Sequence, residues 1–179
     1  MMPAHCAPAL PGACFAAIAF ADAVWYDLGK TPVRGPTLQM REISIRPWSL
    51  EDAHAVETLT REAFWNRHVP GCNEHYLTHL LRDSEALIRE LSFVALVNGQ
   101  VVGCILYTHA RILCDDKTER AVVSFGPISV LPAYQCRGIG TALIEHTTPI
   151  AHAMGFPAIL IYGDPRYYEQ FGFVPAEKY

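Results

Sequence analysis

The chain is organised around YQCRGIGTALIEH, residues 134–146. Arg137, Gly138 and Gly140 stand together there and lead into a segment with helical character. Backbone N–H groups at a helix start have no intrahelical partner and carry the positive end of the helix dipole. Glycines let an anion approach that backbone closely, and an arginine adds a fixed charge beside it. A phosphate site therefore calls for a strand, a Gly-rich turn and a helix, in that order. Residues 120–154 supply them: a β-forming run over 120–130, the turn, then a helix over 138–154 with Leu143, Thr147, Ile150 and Met154 on one face and Gly155 as its C-cap.

Downstream, PAILIYG (157–163) is a short buried strand, and DPRYYEQFG (164–172) a short helix with Pro165 in its first turn. Upstream, SFVALVNGQVVGCILYTHARI (92–112) is a hairpin about Asn98-Gly99. REISIRPW (41–48) alternates as a half-buried strand does. SLED (49–52) then opens an amphipathic helix over 50–64, with Ala53, Val56, Leu59, Ala63 and Phe64 inward. Pro70 and Gly71 break the pattern. A second helix follows over 73–83, with Tyr76, Leu77, Leu80 and Leu81 on its buried side. The order β-α-α-β-β-β-α-β-α predicts a mixed α/β (α+β) fold, with a mostly antiparallel sheet, one right-handed β-α-β crossover and flanking helices.

Several kinds of phosphate turn compete. A P-loop needs G-x-x-x-x-G-K-[ST], which the chain does not contain. A dinucleotide fingerprint needs G-x-G-x-x-G; Gly138-Ile139-Gly140 begins it, but Leu143 stands where the third glycine belongs. Asp164 sits at a spacing that suits a ribose contact, yet an antiparallel meander precedes the turn where the first βαβ unit should start.

The 179 residues suit one domain with a real core. Hydrophobic residues make up 51% and charged residues 18%, with a net charge of -4. That balance gives no general affinity for nucleic acid or an anionic membrane. Six cysteines at irregular spacing, without C-x-x-C, read as reduced thiols of a cytoplasmic protein. The Ala-rich run APALPGACFAAIAFADAVW (7–25) has no basic residue before Lys30, although Ala19-Phe20-Ala21 resembles a signal cleavage site. Pro11 and Asp22 interrupt it as a membrane span. Residues 1–39 are expected to lie outside the domain and 40–179 to form it. His75 and His79 have metal-ligand spacing on a helix but no third partner, so solvent-facing positions and no metal are expected.

Gln135-Cys136-Arg137-Gly138-Ile139-Gly140 matches the Q/R-x-x-G-x-G/A motif of the GNAT superfamily of N-acetyltransferases, which the chain resembles. GPISVLPAYQCRGIGTALI (126–144) looks like that family's fourth strand, loop and third helix, and YYEQFGF (167–173) like its Y-E-K-x-G-F segment. Residues 74–107 are similar to the YhbS-like predicted acetyltransferase subgroup. The resemblance implies the acyl-CoA N-acyltransferase fold, acetyl-CoA as cosubstrate and an amine as acceptor. It assigns the CoA pyrophosphate to backbone amides over Cys136, Arg137, Gly138, Ile139, Gly140 and Thr141, with Gln135 opening the motif. It assigns the pantetheine and thioester carbonyl to the strand at Ile128, Ser129 and Val130, and the acid that protonates the leaving thiolate to Tyr168. Glu62 and Glu74 are candidates for the amine's base. The family ordinarily adds a final strand after the segment matching GFVPA, so an uncovered sheet edge, inviting a homodimer, is expected. Two function classes follow: an acetyl-CoA-dependent N-acetyltransferase, or a catalytically silent CoA-binding module.

Overall fold

The structure is a computed structural model that describes residues 43–67 and 70–176, together with the backbone of Ala23–Asp27. Its strands are β1 (Ala23–Asp27), β2 (Ile43–Pro47), β3 (Phe93–Val97), β4 (Gln100–Leu113), β5 (Glu119–Val130), β6 (Ala158–Tyr162) and β7 (Val174–Pro175). The helices are α1 (Ala53–Phe64), α2 (Glu74–Leu81), α3 (Ile139–Ala153) and α4 (Pro165–Tyr168). The strands form one sheet in the order β2-β3-β4-β5-β6-β1-β7. All neighbours are antiparallel except β5 and β6, which the α3 crossover makes parallel. The mixed α+β architecture is the one the element order predicts.

Period-two alternation distributes the core over both faces of the sheet. Phe93, Ile105 and Tyr107 pack with Leu143 and Ile139 of α3. Val94, Cys104 and Leu106 pack with Val56 and Leu59 of α1. Asn98 and Gly99 take positive φ (50° and 79°) in the β3–β4 turn, as a two-residue hairpin requires. The Asp52 carboxylate accepts the Ser49 N–H at 2.9 Å, and a bidentate pair of bonds from Arg46 at 2.7 Å ties β2 to the start of α1.

Three expectations change. The segment read as lying outside the domain contributes β1, which is antiparallel to β6 from Ala23↔Tyr162 to Asp27↔Ala158 and also pairs with β7. The outer edge of β6 is thus covered from the N-terminal side; the rest of 1–39 lies outside the described residues. On α2, only Thr78 and Leu81 are buried, while Tyr76, Leu77 and Leu80 are exposed. A two-turn helix offers α1 a narrow contact, so most of its apolar positions face away. At the end of α3, Met154 is exposed, because Ala151 and Thr147 carry the buried stripe.

Candidate active site

The parallel ladder between β5 and β6 is short. It comprises Val123↔Ile159 and Ser124↔Leu160, with the Ser124 hydroxyl donating to the Leu160 carbonyl at 3.2 Å. Beyond that clasp the two strands part, and Phe125 to Val130 keep partners only on the β4 side. Opposite Leu106, a register shift inserts Gly126 and Pro127 into β5 and bends it at the point of divergence. The opening gives onto a cavity of about 820 Å³ lined by Gly126, Pro127, Ile128, Ile161, Tyr167 and Tyr168, among others, and walled on its far side by Phe64 and α2.

The turn ahead of α3 has the conformation that an anion cradle needs. Cys136 and Gly138 take positive φ of 58° and 81°, and Gly138 is the helix N-cap. The first intrahelical bond runs from the Ala142 N–H to the Gly138 carbonyl at 2.8 Å, which leaves the N–H groups of Ile139, Gly140 and Thr141 without helical acceptors. The Arg137 guanidinium lies over the Tyr134 ring at 5.5 Å and has no carboxylate partner among the described residues. Cys136 is an exposed free thiol at the lip of the turn.

The other residues assigned to CoA are less available. The Gln135 amide donates to the Val130 carbonyl at 3.0 Å and accepts from Arg67 at 2.9 Å, so it braces the turn against β5. The Ser129 hydroxyl accepts from Thr60 at 3.0 Å on the α1 face and is buried. Only its backbone is left for a ligand. The Ile139 side chain belongs to the core. Ile128 lines the cavity.

The two tyrosines of α4 divide their roles. Tyr168 is buried, with its ring against Phe125, Tyr167 and Phe173. It lies so close to Gly163 that a methyl group there would stand 2.5 Å from the ring. Burial, and next the neighbouring Tyr167, push its hydroxyl well above the usual phenol range. Tyr167 is 42% exposed, and its hydroxyl sits over Gly140 on the Gly-rich turn, 3.1 Å from where a methyl group there would stand. Burial raises its pKa as well. The doubled tyrosine of the α4 segment marks the place in the sequence but does not say which ring reaches the turn.

Of the proposed bases, Glu74 lines the cavity and Glu62 does not. His79 is held by Glu57 of α1 at 3.0 Å. Among the described residues, no group of three or more His, Cys, Asp or Glu side chains could hold a metal ion. No helix there is long and apolar enough to cross a membrane.

A cleft between diverging parallel strands, with a phosphate turn at one end and a buried tyrosine beneath it, is the arrangement of a CoA-dependent acyltransferase. The profile of the Acetyltransferase (GNAT) family matches residues 43–173, and the chain belongs to that family. Among curated proteins it is similar to the uncharacterized N-acetyltransferase YjhQ of Escherichia coli (strain K12), at 30% identity over 53% of this chain and 52% of that one. It thus spans about half the length of YjhQ. It also resembles the uncharacterized N-acetyltransferase YhbS of the same strain, at 28% identity over 68% of each chain. Among solved structures, a GNAT family acetyltransferase from Brucella melitensis in complex with acetyl-CoA superposes with a TM-score of 0.67 at 32% identity, covering 74% of this chain and 82% of that one. YhbS from Escherichia coli in complex with CoA superposes with a TM-score of 0.64 at 25% identity, covering 78% and 73%.

Proposed function

We propose that this protein transfers the acetyl group of acetyl-CoA to a primary amine by direct attack within a ternary complex. The observation that carries the reading is the parting of β5 from β6 beyond Ser124↔Leu160, beside the phosphate turn. It leaves Phe125 to Val130 without a β6 partner, so that backbone groups on that side, other than the Val130 carbonyl held by Gln135, can bond an extended pantetheine arm. The acetyl-CoA and CoA held by the two structural relatives support the same choice of donor.

The N–H groups from Cys136 to Thr141, with Arg137, take the pyrophosphate. Backbone of Ile128, Ser129 and Val130 holds the arm and the thioester carbonyl, where a donor aimed at the developing oxyanion lowers the barrier. The amine nitrogen forms its bond to the carbonyl carbon as the carbon–sulfur bond breaks. Tyr168 gives its proton to the departing thiolate and recovers one from the nitrogen through solvent. Starting from an ammonium, one proton is released to water in each turnover. Burial keeps the Tyr168 phenol in its protonated form, the form that can donate.

Four described cysteines are free thiols, which supports a reducing compartment, the cytoplasm. With β1 covering β6, the outer edge of the sheet on that side lies at β1 and β7, and a homodimer through the sheet would form there.

A free-thiol assay with acetyl-CoA and an amine panel tests the reading. Tyr168→Phe is expected to lower kcat by about 100-fold or more while acetyl-CoA affinity holds. An unchanged kcat would remove Tyr168 from the mechanism. CoA binding without turnover on any amine would leave the silent binding module standing.

A further inference from the structure

The proposed transfer leaves the acceptor open, and the cavity wall opposite the parted strands bears on it. That wall is apolar and aromatic: Phe64, Leu77 and Leu81 from α1 and α2 face Phe125, Ile161 and Tyr167. No lysine or arginine lines it, and its carboxylates are Glu74 and Asp164. Asp164 is engaged by the Arg166 guanidinium at 2.7 and 3.0 Å and caps α4 through the Arg166 N–H. Glu74 accepts from the Asn73 N–H at 3.1 Å and the Cys72 thiol at 3.3 Å, and has no basic partner among the described residues. The cavity thus offers one carboxylate without a basic partner, in a mostly apolar chamber whose other polar side chains are His109, Thr108, Ser124 and the tyrosine hydroxyls. Outside it, exposed Tyr76 and Leu80 continue the Leu77 surface along α2.

We infer that the acceptor is a monoamine on an apolar body of ring or short-chain size, its ammonium held by Glu74 and its body packed against Leu77 and Phe64. This rests on the acetyl-transfer reading. A polyamine or an aminoglycoside brings several cations, and a chamber with a single free carboxylate leaves the others desolvated and unpaired.

The test is a free-thiol assay at saturating acetyl-CoA with 2-phenylethylamine, hexylamine, spermidine and kanamycin. The first two are expected to exceed the others in kcat/KM by at least about tenfold. Glu74→Gln should raise the KM for 2-phenylethylamine by about tenfold with acetyl-CoA binding unchanged, which also reports an intact fold. Leu77→Gln should narrow the preference for hexylamine over spermidine. Preference for spermidine or kanamycin, or an unmoved amine KM in Glu74→Gln, overturns the acceptor assignment and leaves acetyl transfer intact. Acetyl-CoA bound but consumed with none of the amines overturns the transfer reading, and the assignment with it.

Discussion

The two halves of the sheet are built by different rules. From β2 to β5, spatial neighbours beyond α1 and α2 follow one another in the chain, and long antiparallel ladders with tight turns join them. From β6 to β7, strands of two to five residues come from distant parts of the chain, with β1 inserted between them. The first half is a rigid platform with side chains buried on both faces. The second is a small subsheet whose only β-ladder to it among the described residues is two residues long, alongside the Ser124–Leu160 bond and core contacts such as Phe125 with Phe173. The cleft proposed for the cosubstrate is the incomplete seam between them. A full β5–β6 ladder would satisfy the backbone of Phe125 to Val130 and leave it nothing to offer a ligand.

The contrast can be broken most severely from the subsheet side. Removing residues 1–30 takes away β1 and with it the ladders to both β6 and β7. The melting temperature is expected to fall by about 5–10 °C, with transfer activity falling further than CoA-turn integrity would require. A melting curve identical to that of the full chain would show that β1 carries no load. At the seam itself, Gly138→Val forces a β-branched side chain into φ of 81°. The strain of roughly 1–2 kcal/mol should weaken CoA binding by about tenfold, as titration calorimetry reads it.

The smallest effect belongs to the platform. Hydrogen bonds from Arg46 hold the Asp52 pKa below its ordinary value, and the Ser49 backbone adds to this against the opposing effect of burial. A depressed carboxylate stabilises the fold above its unfolded pKa, and that contribution fades as pH falls through the folded value. Asp52→Asn should therefore cost about 1 kcal/mol at pH 7. The gap from the natural chain should close as pH drops below the ordinary carboxylate value of 3.8. A gap independent of pH would assign the loss to the cap alone.

The platform was largely legible in the amino-acid sequence because its signals are local. Asn98-Gly99, the alternation in β2 and the heptad-like spacing of α1 each need only a few neighbouring residues. The Gly-rich turn leading into α3 was legible for the same reason. The subsheet was not, since nothing within Ala23–Asp27 points to partners at Ala158 or Val174. The exposure of Tyr76, Leu77 and Leu80 could not be read either, because a short helix shows a stripe without showing which side of it the protein covers. Tyr167 and Tyr168 are adjacent letters with unlike surroundings; only the fold puts one in the core and the other on the phosphate turn.

The insertion of β1 sets an order of assembly. As the chain leaves the ribosome, Ala23–Asp27 emerges before the platform, while the strands it joins emerge only after the whole platform has been made. The platform can nucleate on nearby contacts during synthesis, whereas the subsheet must wait for pairings of very high contact order. The Gly-rich turn ahead of α3 is therefore made before the second wall of the cleft can close. A nascent chain stalled between the two would carry the proposed anion turn without the slot beside it.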